Sequence, residues 1–448
     1  MNRSYKYSRF LHVYERDGRV CLYNALTMEA IYSSKRDYDH AQVLFQQTKH
    51  VGNNTLLRKM KNYNMILPCT VDEELYLDEI RKRLFVGPRM RVMVLHMTDF
   101  CNLKCKYCFI EGGQASNYCR QSMSIDTARV AVNKYFQILK KHNIHKSPSI
   151  VFYGGEPLLN WNVIKFAISH IHANEVASGI KVDKVIITNG TILTDEIIDY
   201  VKKYHILISV SLDGIQNVND ANRIDYQGEG SFSRATNTIK QLVENGIMPA
   251  VSCVMAKEGI PHVDDSISFL IEELGITGLG FNHVSIIPGL NFYDPIYEEH
   301  FADTILHVQD IIQKKYPYVY ERRMGHKVNT FIDKLFIKSD CTGCGEQFSV
   351  SPLGEIGICQ GYMGSRKTFS KTIFDEEYNP EEDPVFIEWS KRSPLNIKEC
   401  LTCDALATCG GGCPRNADMI NGSIWKPDSA FCHFAKKAQR WLIWRSQD

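Results

Sequence analysis

The 448-residue sequence predicts an α/β protein built on a partial (β/α)6 barrel, preceded by a small strand-and-helix module and followed by a cysteine-rich segment. Three observations lead there. Strand-like and helix-like stretches alternate from Arg91 onward, six strands in all. A run with three cysteines, "TDFCNLKCKYCF" (98–109), directly follows the first of those strands. From Cys341 the texture changes to glycine, cysteine and short apolar runs, a composition that builds little core by burial alone.

Composition narrows the class before any motif is read. Hydrophobic content of 44% and charged content of 23% are ordinary for a soluble protein. A formal net charge of +1 argues against a nucleic-acid partner. No apolar run reaches the roughly 18–20 residues of a membrane span, and "MNRSYKYSRF" lacks a signal-peptide core. A cytoplasmic, reducing location is expected. Of the fifteen cysteines, eleven fall in three groups, 101/105/108, 341/344/359 and 400/403/409/413/432. Disulfides do not persist in such a compartment, so metal ligation is the better reading. Cys253, in "AVSCVMA", reads as a small buried hydrophobe.

The elements follow in order. Residues 1–85 read as a separate module: "RFLHVYERDGRVCLYNA" is a hairpin around Asp17-Gly18, "EAIYSS" adds a strand, and helices fit 37–50, 53–63 and 72–85. Up to Val71 it carries eleven basic and five acidic side chains, about +6. Residues 90–285 hold the barrel, with strands at 92–96, 149–153, 184–188, 205–212, 248–254 and 278–284. Amphipathic helices fit 126–141, 161–178, 194–203, 232–245 and 263–274. Residues 286–340 form a helical, charged bridge, and 341–448 the cysteine-rich domain.

Three thiols at C-x3-C-x2-C suit a [4Fe–4S] cube, three irons taking Cys101, Cys105 and Cys108 and the fourth left for another ligand. With Tyr107 before the last cysteine, this run resembles the signature of the radical S-adenosylmethionine (SAM) superfamily. The resemblance implies that SAM chelates the fourth iron and that its reductive cleavage yields a 5′-deoxyadenosyl radical able to take hydrogen from carbon. "YGGEP" (153–157) resembles the family's GGEP stretch, whose glycines would let backbone approach SAM and whose Glu156 would accept from its ammonium. Tyr107, Gly154, Gly155, Glu156, Asn189 in "ITNGT", and Ser209, Ser211 and Asp213 in "SVSLDG" are the implied SAM contacts. Arg234 in "GSFSR" resembles a carboxylate-pairing arginine.

The later cysteines resemble a seven-cysteine SPASM domain: Cys344, Cys359, Cys400, Cys403, Cys409, Cys413 and Cys432, with Cys341 added. That likeness implies two auxiliary [4Fe–4S] clusters, for three in total. Cys341, Cys344, Cys359 and Cys413 would hold one, and Cys400, Cys403, Cys409 and Cys432 the other.

Enzymes of this kind act mostly on peptides. The resemblance is to maturases of ribosomally made precursor peptides, with the N-terminal module as a winged-helix-like element that takes the leader by strand addition. The expected product is a thioether from a cysteine sulfur to carbon. The alternatives are a carbon–carbon or carbon–oxygen link, or formylglycine formation as in anaerobic sulfatase maturases. Gln360 stands where those maturases carry an aspartate resembling a base, so no catalytic base is identified. A flavodoxin- or ferredoxin-type protein would supply the electron.

Overall fold

The structure is a computed structural model that describes residues 4–113, 118–141, 147–287 and 295–445. Five strands open the chain: β1 (Tyr5–Tyr7), β2 (Leu11–Arg16), β3 (Arg19–Asn24), β4 (Glu29–Ser34) and β5 (Ile66–Pro68). β2, β3 and β4 form an antiparallel meander whose hairpin turns at Asp17 and Gly18, both at positive φ. Helices Lys35–Thr48, Thr55–Asn62 and Glu73–Leu84 complete the module, capped by Ser34, Asn54 and Asp72 accepting from backbone N–H groups.

The sequence suggests a module that stands apart; the structure shows one that does not. β3 is buried on both faces. Val20 and Leu22 pack on the module's own helices through Ala41, Phe45 and Leu57. Cys21 and Tyr23, on the opposite face, pack on Leu395, Leu406, Ala407 and Ile443 from the C-terminal region. An apolar stripe on both sides of one strand needs two covers, and the second comes from far along the chain.

The barrel strands are β6 (Val92–His96), β7 (Ser149–Tyr153), β8 (Asp183–Thr188), β9 (Leu207–Ser211), β10 (Ala250–Val254) and β11 (Gly278–Asn282). Neighbours pair in parallel throughout, from Val92↔Ser149 to Val251↔Leu279. Helices Ile125–Lys140, Trp161–Ser178, Asp195–Tyr204 and Phe232–Glu244 cross between them, as the 3.6-residue periodicity predicts. The expected helix over 263–274 is present as one α-helical turn and a half, Val263–Ser268, running into a π turn, Phe269–Glu273, and it is preceded by a 3-10 segment, Lys257–His262. Pro261, which lacks an N–H, sits within that 3-10 segment.

The sheet extends beyond six strands. β12 (Tyr320–Glu321) joins β11, between helices Pro295–Lys315 and Arg322–Asp333 of the bridging region. On the other side β13 (Gln347–Val350), from the cysteine-rich region, lies parallel to β6 from Gln347↔Val92 to Val350↔Leu95. β14 (Glu355–Gly357) and β15 (Lys371–Thr372) follow antiparallel. Both ends of this ten-stranded sheet are free, so among the described residues the barrel stays open. Its main core lies between the sheet and the outer helices, through residues such as Met93, Leu95, Phe152, Ile186, Val210 and Phe348.

Candidate active site

Successive side chains of β6 point to opposite sides. Met93 and Leu95 join the outer core, which turns Val92, Val94 and His96 to the concave interior. The three-cysteine loop leaves from the top of this strand. Backbone bonds pin it on two flanks: Gly155 N–H to Thr98 O at 2.8 Å and Glu156 N–H to Phe100 O at 2.9 Å on one, Lys104 N–H to Ile224 O at 2.7 Å and Lys106 N–H to Asn222 O at 3.0 Å on the other. Such anchoring fixes the loop without any metal.

Gly154 and Gly155 make this possible. A Cβ at Gly154, whose φ is +141°, would stand 2.4 Å from Thr98 O, and one at Gly155 would stand 2.2 Å from Phe100 O. The close approach these glycines permit is therefore to the cysteine loop itself, whereas the sequence alone assigns it to a ligand.

The thiols of Cys101, Cys105 and Cys108 share one dry setting. Burial pushes Cys101 up to about 12 and Cys105 up to about 11, and raises Cys108. Cys101 is raised further by Cys105 and Cys108, so the three sulfurs face a common space. Thiols that resist ionisation when bare ionise readily on a metal, which is the donor set an iron–sulfur cluster takes. Among the described residues no three His, Cys, Asp or Glu converge as one small ion requires. A cube sets its irons apart and asks for no such convergence.

Glu156 is fully buried and spans two strand ends. Its carboxylate accepts from Leu158 N–H (3.1 Å), Thr188 Oγ1 (2.8 Å) and Asn189 N–H (2.7 Å). Burial still lifts its pKa to about 7. The ammonium contact expected of Glu156 thus competes with three donors from its own chain. Asn189 reaches the loop, its Nδ2 donating to Asn102 Oδ1 at 2.9 Å and lying 3.7 Å from Cys101 Sγ.

Asp213 is also committed within the protein. It pairs with Arg223 at 3.0 Å, accepts from Val254 N–H at 2.9 Å, and takes the Tyr107 hydroxyl. Arg223 lies over the Tyr107 ring, 5.5 Å from its centroid. Burial opposes the Arg223 charge, and Asp213, Tyr107 and Cys105 outweigh it and hold the guanidinium ionised. A buried cation beside the cysteine loop is the residue that sequence reasoning missed. It lies just beyond the short helix Gln216–Asn222, with no motif to mark it. Ser209 and Ser211 alternate with buried Val210 on β9 and face the interior, half-buried. Arg234 is not gathered in: it is exposed and pairs with Asp225 at 3.0 Å.

The later cysteines fall into two groups. Cys341 and Cys344 share a thiol hydrogen bond, and Cys359 and Cys413, raised first by burial, are raised further by Cys341. Cys400, Cys403, Cys409 and Cys432 influence one another, with burial pushing Cys400 up to about 12 and Cys403 to about 11. Gly410, Gly411 and Gly412 all have left-handed φ, +73°, +82° and +66°. A Cβ at Gly410 would stand 2.5 Å from Asp340 N, so this tight wrap needs glycine.

Residues 95–270, from the end of β6 to the π turn, match the radical SAM superfamily. The radical SAM cyclopropyl synthase TigE of Paramaledivibacter caminithermalis is 26% identical over 385 residues, covering 82% of this chain and 76% of TigE. The cysteine-type anaerobic sulfatase-maturating enzyme of Clostridium perfringens is 24% identical over 358 residues, 75% of this chain and 92% of that one. Streptococcus suis SuiB, solved with its precursor peptide SuiA, superposes with a TM-score of 0.57 at 16% identity, covering 96% of this chain and 99% of SuiB. That likeness of fold takes in the N-terminal module. A three-thiol loop at the mouth of an open parallel barrel and a family match running through it lead to one conclusion: residues 95–270 are a radical SAM domain, and the chain that carries it is an enzyme.

Proposed function

We propose that this enzyme matures a ribosomally made precursor peptide. The observation that carries the reading is the seating of the N-terminal module. Its meander packs on the cysteine-rich region through Cys21 and Tyr23, while among the described residues β2 and β4 have no second strand partner. An open strand edge held rigidly beside the catalytic body accepts an extended leader by main-chain hydrogen bonds, and the basic balance up to Val71 suits an acidic one. The SuiB–SuiA complex supports the same reading.

Cys101, Cys105 and Cys108 would hold the SAM-binding cluster. Cys341, Cys344, Cys359 and Cys413 would hold one auxiliary cluster, and Cys400, Cys403, Cys409 and Cys432 a second. A cluster and SAM held there would supply radical chemistry able to remove hydrogen from a peptide carbon. The chain's own part is placement and dryness. The Gly154–Glu156 strap fixes the cysteine loop, the Asp213–Arg223–Tyr107 group sets a fixed charge pair beside it, and the interior serines offer hydroxyls for polar parts of SAM. A flavodoxin- or ferredoxin-type donor in a reducing cytoplasm would deliver the electron.

The bond made is a thioether between a cysteine sulfur and a carbon. A second reading, carbon–carbon closure, is favoured by the likeness to TigE over 82% of the chain. A sulfatase-type reaction is disfavoured because Gln360 is an amide, which takes no proton. The test is a search beside the gene for a short cysteine-rich reading frame and its anaerobic co-expression with the enzyme, followed by mass spectrometry and thiol alkylation. Loss of two hydrogens with a cysteine that stays blocked after disulfide reduction establishes the thioether. The same loss with the thiol free excludes the thioether, and fragment masses then separate carbon–carbon closure from a carbon–oxygen link or a formylglycine. SAM cleavage with an unaltered peptide would refute the maturase reading.

A further inference from the structure

The wall of the barrel made by β13 and β6 is polar on its inner side. Phe348 and Val350 join the outer core, so Gln347, Ser349 and Ser351 face inward beside Val92, Val94 and His96. Ser349 Oγ and both ring nitrogens of His96 are buried there with no protein partner. The ring of Tyr153 meets His96 edge-on at 5.5 Å. Burial and the Arg366 charge push His96 down to about 3, so its ring is neutral. Native proteins rarely leave buried polar groups unpaired. A wall with several is shaped for a polar occupant.

Gln360 stands at this wall, joined to it by a hydrogen-bonded relay. Thr342 Oγ1 donates to Gln347 Oε1 at 2.8 Å, and Gln347 Nε2 donates to Gln360 Oε1 at 2.7 Å. In this arrangement the Gln360 oxygen already accepts from Gln347, and its NH2 has no partner among the described residues. What remains is its NH2, a donor with no lone pair to offer.

We propose that Gln360 binds an acceptor oxygen of the peptide, a backbone carbonyl or a side-chain amide or carboxylate, at the residue being modified, with Gln347 as its positioning residue. This rests on the maturase reading. Gln360 is neither base nor radical partner. It restricts which peptide carbon is brought to the radical by holding the oxygen next to it.

The experiment uses the cluster-loaded full chain and the precursor from the neighbouring reading frame, fluorescein-labelled at its N-terminus. Gln360→Glu replaces the donor with an acceptor. Gln347→Glu leaves Gln360 in place and forces its amide to turn, because a carboxylate at position 347 accepts from both neighbours. Each should raise the peptide Kd about tenfold with iron per chain unchanged, the loss of one good hydrogen bond. Thr342→Val, which removes the donor to Gln347 without adding charge, should raise it about threefold and decides the matter if a charged variant loses iron. Unchanged affinity in all three overturns the inference, as does a rise with Gln347→Glu that Gln360→Met does not share. Wild-type enzyme that cleaves SAM yet neither binds nor alters this peptide overturns the maturase reading, and this inference falls with it.

Discussion

The two cysteine-bearing regions are held in shape by different forces. The loop 98–109 sits on a barrel whose core runs from Met90 to Ala438, and backbone bonds from 155–156 and 222–224 clamp it on both flanks. The region 341–445 has three strands of two to four residues, several short helices and the left-handed run Gly410–Gly412. Its backbone offers few ladder bonds, and its thiols crowd in two groups of four. On the proposed ligation, metal binding at the loop would go mainly into chemistry, whereas in the C-terminal region it would go mainly into folding.

The largest test of this contrast compares one cysteine from each region. Cys409→Ala should remove about a third of the iron and unfold part of 341–445, seen as early proteolysis there and a melting midpoint lower by about ten degrees or more, on the scale of several kcal/mol. Cys101→Ala should remove a similar share of iron and abolish deoxyadenosine production while moving the midpoint by about two degrees or less. Equal melting losses in the two variants would erase the distinction.

Gly155→Ala attacks the loop from its clamp. A Cβ 2.2 Å from Phe100 O cannot be accommodated unless the backbone moves, at a cost of about 3–5 kcal/mol. The expected outcome is loss of the loop's iron with the C-terminal iron retained. Electron paramagnetic resonance on the reduced protein separates the two. A variant that keeps all its iron would show that the strap is not what shapes the loop.

How much of this is readable from residues alone depends on which force dominates. The six barrel strands and most crossing helices lie where apolar periodicity puts them, because burial is strong and regular there. β13 escapes notice. Gln347 and Ser349 turn polar side chains inward, so "QFSV" lacks a strand signal and its partner β6 lies about 250 residues away. The cysteine spacings are legible, but the partners of nearby charges are not. Arg223 and Arg234 look alike in the sequence, and only the path of the chain puts the first beside Cys105 and the second in solvent. The double burial of β3 is likewise invisible, since nothing in its own segment names Leu406 or Ile443 as a cover.

Glu156 gives the barrel side a pH signature. Its pKa lies near 7 in the fold against 4.5 for the free side chain, because burial disfavours the charge. The native state therefore prefers the protonated form. The resulting stability is full below about 4.5 and is lost as pH rises through about 7, up to about 3 kcal/mol in all. Glu156→Gln should be less stable at low pH, having exchanged an acceptor for a donor opposite Asn189 N–H, and should lose this slope between about pH 5 and 7.5 in denaturant titrations. A slope identical to wild type would assign the pH dependence elsewhere, for instance to the C-terminal region.

The smallest effect sharpens the comparison at the seam where the C-terminal region borrows support from the N-terminal module. Tyr14, on β2, donates to Asp404 Oδ2 at 2.8 Å, and Asp404 follows Cys403 directly. Burial, with Asp404 next, raises the Tyr14 pKa well above its ordinary value, so the hydroxyl stays protonated and keeps donating. Tyr14→Phe deletes that one bond and leaves the packing of the ring. The expected cost is about 1 kcal/mol, felt as about fivefold faster amide exchange around residues 400–409, with exchange in β6 to β9 unchanged. Because Asp404 then loses the Tyr14 donor and, among the described residues, faces only the Cys403 sulfur at 3.6 Å, the midpoint potential of a cluster held there should fall. Unchanged exchange at 400–409 would mean that the thiols alone hold this segment and that the N-terminal module merely rests against it.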